Sequence, residues 1–511
     1  MLGKINSAGL IGLDGYIVEV EIDISPGLPA FDIVGLPDTA VKESKERVRA
    51  AIRNSGFEFP VKRITANLAP ANTKKEGPSY DLPIALAILS ATGQIPIEDL
   101  DKYVFLGELS LDGKIKPIKG VLPMAISAFK SGMEKLVISI ENAKEAAVVK
   151  GIEVLPCSNV LDIVNHLNGD NPIQPYFVDI DSLFKSNCKY DIDFADVKGQ
   201  ENIKRALEVS AAGAHNCLMI GSPGSGKTMM ARRLPTILPD MTFDEALEVT
   251  KIHSIAGVLP PKTSLITTRP FRSPHHTVSA VSLVGGGRIP KPGEISLAHF
   301  GVLFLDELTE FQKVALEVMR QPLEDGMVTI SRINASLSYP SRFMLISSMN
   351  PCKCGFLLDP AKNCTCTPSQ VQQYISKISG PLLDRFDIHM EVSPVKYREL
   401  DSGISTDSSA VIRDRVNNAR KIQLDRYKGM KIFFNSQLQP SQISMFCKLG
   451  EREKNILRDA FERMGLSARA HNRILKVART IADLEGSENI QMPHIAEAIQ
   501  YRSLDRKFWN T

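Results

Sequence analysis

Hydrophobic and polar positions alternate along Tyr16-Ile-Val-Glu-Val-Glu-Ile-Asp-Ile24, the period of a half-buried strand, and Phe31-Asp-Ile-Val34 repeats it. From Ala40 to Asn54 the apolar spacing becomes helical, and Gly56 supplies a stop. Leu82 to Ala91 is apolar throughout after the Gly77-Pro78 turn and reads as a buried helix. Tyr103–Leu109 and Leu136–Ile140 read as strands, with a helix near Met124–Lys130 between them. Residues 1–170 are therefore expected to form a compact α/β domain. Asn171-Pro172, Pro175 and the Asp-rich sequence after them mark 171–192 as a linker.

Beyond the linker the pattern changes. Cys217-Leu-Met-Ile220, Val302-Leu-Phe-Leu305 and Phe343-Met-Leu-Ile-Ser-Ser-Met349 are short apolar runs without alternation, as suits parallel strands buried on both faces. Helical periodicity then takes over at 407–427, 451–464, 468–484 and 492–501, with Ser467 as a cap. The expectation is a parallel-sheet core over 193–392 and a helical lid over 393–511.

Composition adds little. At 43% hydrophobic and 23% charged, the 511 residues are those of an ordinary globular protein, long enough for about three domains. The start, Met1-Leu-Gly-Lys-Ile-Asn, lacks a basic segment leading into an apolar run, and no stretch has the length of a membrane span. A cytoplasmic protein with no membrane partner is expected. A net charge of +3 does not argue for nucleic acid, although 393–511 is more basic than the rest. Four of the eight cysteines fall within 352–366, which points to a metal site rather than a disulfide framework.

The chemistry is carried by Gly221-Ser222-Pro223-Gly224-Ser225-Gly226-Lys227-Thr228, a phosphate-loop pattern set between a strand and a helix start. Glycines there let backbone N–H groups converge on phosphate oxygens, and the helix N-terminus adds its positive end. Lys227 would reach the β- and γ-phosphates of ATP, and the Thr228 hydroxyl would hold Mg²⁺. The run Val302–Leu305 ends in Asp306 and Glu307, placed to organise the Mg²⁺ shell and to polarise an attacking water. Asn350 ends the third run, where its amide can hold that water or sense the γ-phosphate. Cys352, Cys354, Cys364 and Cys366 suit one structural Zn²⁺, with unligated loop cysteines or an oxidation-sensitive pair as alternatives.

Several segments resemble known families. Glu76-Gly-Pro-Ser79 and Gly107–Ile118 resemble the proteolytic domain of the Lon family, a ribosomal S5 domain 2-like α/β fold. Ser79 takes the nucleophile's place, but Leu122 stands where that family has its lysine base, and Lys119 lies three residues too early. A retained fold with lost protease chemistry is the expectation. Phe194–Gln200 resembles the segment that approaches adenine in AAA+ ATPases, which implies Val197 and Gln200 near the base. Leu382-Leu-Asp-Arg385-Phe-Asp resembles the arginine-finger segment of the magnesium-chelatase and replicative-helicase branches, which implies that Arg385 acts in a neighbouring subunit's site. The lid suggests Arg469 as the sensor-2 arginine, with Arg473 one turn on as the alternative.

Two insertions typify the same branch. One carries Arg269-Pro-Phe-Arg-Ser-Pro-His-His-Thr and the glycine-rich Gly285–Lys291, and the other reads as a hairpin over 326–339. Arg288, Lys291 and Arg332 are candidates to grip the phosphates of a strand. His275 and His276 have no acidic or histidine partner at metal-ligand spacing and read as packing or hydrogen-bonding residues.

Taken with the four-cysteine loop and Ile378–Asp387, these segments resemble the YifB/ComM family of magnesium-chelatase-like ATPases over essentially the whole chain. That resemblance implies a homo-hexameric ring acting on single-stranded or branched DNA, in branch migration of recombination intermediates during natural transformation. A chaperone-like remodeller or a metal-insertion motor is the alternative. Neither reading names a loading partner.

Overall fold

The computed structural model describes residues 1–96, 99–186, 190–260, 263–287, 290–332, 335–395, 407–430 and 432–508. Among them no helix is long and apolar enough to cross a membrane. The chain divides into two compact units, one of residues 1–187 with 243–267 and one of 188–242 with 268–511.

The first unit is built on a seven-stranded mixed sheet. Its strands are β1 (Leu2–Ile11), β2 (Asp14–Ser25), β3 (Ala30–Val34), β4 (Arg63–Ala69), β5 (Tyr103–Phe105), β6 (Lys135–Ser139) and β7 (Glu153–Cys157), in the order β3-β4-β2-β1-β5-β6-β7. β1 pairs antiparallel with β2 along its whole length, whereas β1-β5-β6-β7 run parallel. The helix Asp81–Ala91 is buried at every position and packs on β1 and β2. Its first residue is a carboxylate. Asp81 lies bidentate on Arg47, at 2.6 and 2.9 Å, which makes its burial tolerable.

The run expected as one strand over Tyr103–Leu109 is broken in two. After Phe105 the chain turns at Gly107, where a Cβ would lie 2.6 Å from Ile115, and Glu108–Leu109 pairs instead with Ile115–Lys116. Ser79 sits in the middle of a short helical turn, Pro78–Tyr80, and is half-buried. Leu122 is fully buried in the helix Val121–Lys130, and its N–H donates to Glu145 at 2.8 Å. Burial pushes the Glu145 carboxyl above its ordinary range. Glu145 also accepts from Ser254, which lies on the helix Phe243–Ala256. That helix packs on Val121–Lys130 and is part of this unit, although in sequence it follows the phosphate-loop helix.

The second unit holds a five-stranded, all-parallel sheet of β8 (Cys217–Gly221), β9 (Phe271–Arg272), β10 (Val302–Leu305), β11 (Met344–Met349) and β12 (Ile388–Val392), in the order β9-β10-β11-β8-β12. β8, β10 and β11 are buried along their length, as their unbroken apolar runs require. The helices Ser409–Arg426, Glu451–Met464, Ala468–Leu484 and Met492–Gln500 share one apolar core with the sheet's flanking helices, through Val416, Leu457, Ile474, Ile481 and Ile495. The fold is thus α/β, with a parallel-sheet core and a helical C-terminal part. The segment read as a linker carries a helix, Ile180–Ser186.

Candidate nucleotide and metal sites

Strand register assembles the first site. Leu305 lies opposite Ser347 and Ile220 opposite Met349, so the residues that follow each strand emerge together at the carboxyl edge of the sheet. From β8 the chain enters the loop 221–226, and the helix Lys227–Arg233 begins after Gly226, whose φ of 90° favours glycine. Lys227 is buried. Its Nζ donates to the Gly221 and Ser222 carbonyls at 2.7 and 3.0 Å and to Asn350 Oδ1 at 3.3 Å. Burial lowers its pKa, with Asp306 and Glu307 working in the opposite direction.

The Thr228 hydroxyl donates to Asp306 Oδ2 at 2.7 Å. Ser348, on the neighbouring strand, donates to the other Asp306 oxygen. Glu307 is exposed, sits at φ 56°, and donates its N–H to Asp306 Oδ1 at 3.1 Å. Such backbone strain in a non-glycine residue is concentrated at functional sites. The Ser222 and Ser225 hydroxyls and Gln200 Oε1 are buried with no hydrogen-bond partner, polar atoms that await a ligand. These residues fit a nucleoside triphosphate with Mg²⁺. Lys227 would lie on the phosphates, Thr228 and Asp306 would hold the cation, and Glu307 and Asn350 would orient water.

Val197 is buried in the core, whereas Gln200 reaches the loop itself and donates to the Ser225 carbonyl at 2.8 Å. Gln200 therefore braces the phosphate loop. Ser348 and His276 carried no site signal in the sequence. A serine inside an apolar run gives no hint of its partner, and His276 comes within 3.8 Å of Glu307 only through folding.

Arg385 lies elsewhere. Its guanidinium pairs with Glu324, and it lines a cavity of about 740 Å³ together with Asp387, Arg469, Arg473 and Lys476. Among the described residues, no part of the loop 221–228 lines this cavity. Arg469 is exposed and pairs with Asp384 at 3.1 Å, whereas Arg473 is mostly buried and lies 3.3 Å from Asp387. Both arginines therefore group with Arg385.

The two insertions meet. The hairpin Met327–Arg332 with Ala335–Pro340 is tied to the first insertion by the Tyr339 hydroxyl, which donates to the Pro290 carbonyl at 2.7 Å. Lys291 is exposed on the short strand opposite Gly286, and Arg332 ends its own strand at the hairpin tip. Arg288 lies outside the described residues.

The four cysteines converge. All four sulfurs lie within 4.8 Å of one another, and those of Cys352, Cys354 and Cys364 are separated by 3.4–3.7 Å. Tetrahedral Zn–S bonds of about 2.3 Å imply sulfur separations of about 3.8 Å. Backbone N–H groups of Phe356 and Thr365 point at Cys354 and hold its thiol down at about 5, whereas burial pushes Cys352 up to about 12. Amide donors to sulfur are what a thiolate cluster requires, and the donor set fits Zn²⁺.

Against known proteins, the family described as magnesium chelatase, subunit ChlI, matches residues 193–400, and its C-terminal part matches 406–502. The description "Subunit ChlI of Mg-chelatase" matches residues 20–142. The chain is 42% identical to the competence protein ComM of Haemophilus influenzae over 517 residues, covering 99% of this chain and 98% of that protein. It is 42% identical to YifB of Escherichia coli K12 over 507 residues, with the same coverage. A shorter likeness, 25% over 177 residues, links 32% of this chain to 22% of the Lon protease of Rhizobium meliloti.

Proposed function

Because the chain belongs to the magnesium-chelatase-like YifB/ComM family, we propose that it is a ring-forming AAA+ ATPase that couples ATP hydrolysis to movement along DNA. The work done is branch migration of recombination intermediates. The observation that carries the ring is the position of Arg385 in a cationic cavity that holds none of its own phosphate loop. A finger so placed serves a phosphate brought by a second subunit, where it neutralises developing charge. Arg469 and Arg473 line the same cavity and serve the same neighbouring nucleotide. Each subunit supplies Lys227, Thr228, Asp306, Glu307 and Asn350 on one side and the arginines on the other, so the unit of activity is the homo-hexamer.

The insertions, with Lys291 exposed and Arg332 at a hairpin tip, support a phosphate backbone as what the ring grips. The competence name of the relative from Haemophilus influenzae agrees with a DNA substrate. Zn²⁺ on the four cysteines is structural. The test is ATP-dependent movement of a labelled four-way junction by the wild type and by Glu307→Gln. Movement by the wild type alone is expected. Rings that hydrolyse ATP yet leave the junction in place would favour the protein-remodelling or metal-insertion motor instead.

A further inference from the structure

The four-cysteine loop lies against the nucleotide site at two points. Cys352 follows the Asn350-Pro351 pair directly, so one end of the loop is anchored beside the amide that touches Lys227. Gly355 forms the second contact. Its φ is 85°, and a Cβ there would lie 2.6 Å from Pro223 Cδ and 2.8 Å from Cγ. The ring of Pro223, at the crest of the phosphate loop, thus rests on the bare backbone of Gly355.

Within the loop that backbone is held by turns alone, the Gly355 N–H donating to the Cys352 carbonyl at 3.0 Å. Residues 352–366 contain turns but no helix or strand, and only Cys352 and Gly355 are buried. A stretch of this length without an apolar core needs a cross-link to keep one conformation. Cys352 and Cys354 come from its first limb, next to Gly355, and Cys364 and Cys366 from its second. An ion shared by the two limbs fixes the limb on which Pro223 rests.

We infer that a zinc ion on Cys352, Cys354, Cys364 and Cys366 positions the phosphate loop for nucleotide, acting through Gly355 against Pro223. The inference rests on the reading of Gly221–Thr228 as a nucleotide site. Metal binding to an irregular loop is coupled to its folding, so loss of zinc frees the loop and removes the support under Pro223. Asn350 keeps its place at the end of β11 either way. The effect of zinc is therefore on nucleotide affinity more than on the orientation of water.

The experiment measures zinc content and the equilibrium binding of a fluorescent ATP analogue in Mg²⁺ buffer, on the full-length chain without DNA. One zinc per chain is expected in the wild type and none in the double variant Cys364→Ser/Cys366→Ser, which should bind the analogue about tenfold more weakly. Gly355→Ala keeps all four thiols. It should retain its zinc and still lose affinity, because the new methyl displaces Pro223. Wild-type protein stripped by dialysis against a zinc chelator should regain affinity on addition of Zn²⁺. A zinc-free chain that binds as tightly as the wild type overturns the inference, as does a wild type that holds no zinc. A zinc-loaded wild type that binds no nucleotide overturns the nucleotide-site reading instead.

Discussion

Asn216 donates through Nδ2 to the main-chain carbonyl of Arg385 at 2.9 Å. The same side chain accepts the Leu345 N–H at 2.8 Å, and the Asn216 carbonyl accepts the N–H groups of Asp387 and Ile388. The residue before the phosphate-loop strand therefore holds both β11, which leads to Asn350, and the segment that carries the arginine. Asn216→Ala leaves two backbone groups without their partner, at about 1–3 kcal/mol each where water does not replace it. Its unfolding midpoint in urea should fall, and its ATPase rate should fall further than its nucleotide affinity. Asn216→Asp keeps an acceptor for Leu345 and should lie between the two.

Glu307→Gln should bind ATP as the wild type does and hydrolyse it about 10²–10⁴ times more slowly, the range expected for losing a general base. Steady-state phosphate release beside equilibrium nucleotide binding separates the two effects. Lys227→Ala should fail at the binding step, since its Nζ is the buried cation of the loop.

Arg385→Ala and Lys227→Ala subunits should each be inactive alone. Mixed before assembly, they should recover part of the wild-type rate, because a ring then contains interfaces with an intact loop on one side and an intact arginine on the other. Recovery measured against mixing ratio checks this. A flat response would mean that Arg385 serves its own nucleotide.

The packing of the C-terminal helix Ser503–Phe508 on β12 should loosen in mild acid. His389 lies 2.6 Å from Asp505, with Arg502 beside it, and is fully buried. Burial, helped by the Arg502 charge, holds its pKa down at about 4, against about 6.5 in an unfolded chain. The unfolded state therefore takes up the proton first as pH falls. Stability from this group is complete above about 6.5 and is lost on the way down to 4. Thermal midpoints measured from pH 7.5 to 4.5 should fall across that window, and the fall should be shallower for His389→Gln.

The parts of the site legible in the sequence are those that end an apolar run. Asp306 and Glu307 announce themselves because they follow a strand with no polar interruption, and Asn350 because it ends a run broken only by Ser347 and Ser348; strand ends of a parallel sheet lie on one edge. The phosphate loop is local and carries its own spacing. Ser348, Asn216 and Glu324 act on residues 42, 169 and 61 positions away, and no period or motif encodes such pairs. The fold shows the same division. The helices at 451–464 and 468–484 match the pattern to the residue, because amphipathic spacing and caps are local. β1 carries no legible strand period in the sequence. Gly3, Asn6, Ser7 and Gly9 interrupt its apolar rhythm, and its pairing with β2 makes it a strand.

The helix Phe243–Ala256 bears on how this protein can be taken apart. Ala246, Val249 and Ile252 are buried in a unit whose remaining residues end at 187. A truncation that removes residues 1–187 is therefore not a clean excision. It would strand a helix with its apolar side in water, in the middle of the ATPase sequence, and the shortened protein would be prone to aggregate. The first unit is completed by residues 243–267, which lie inside the sequence span of the second, so neither unit can be exchanged as a cassette without accounting for that segment.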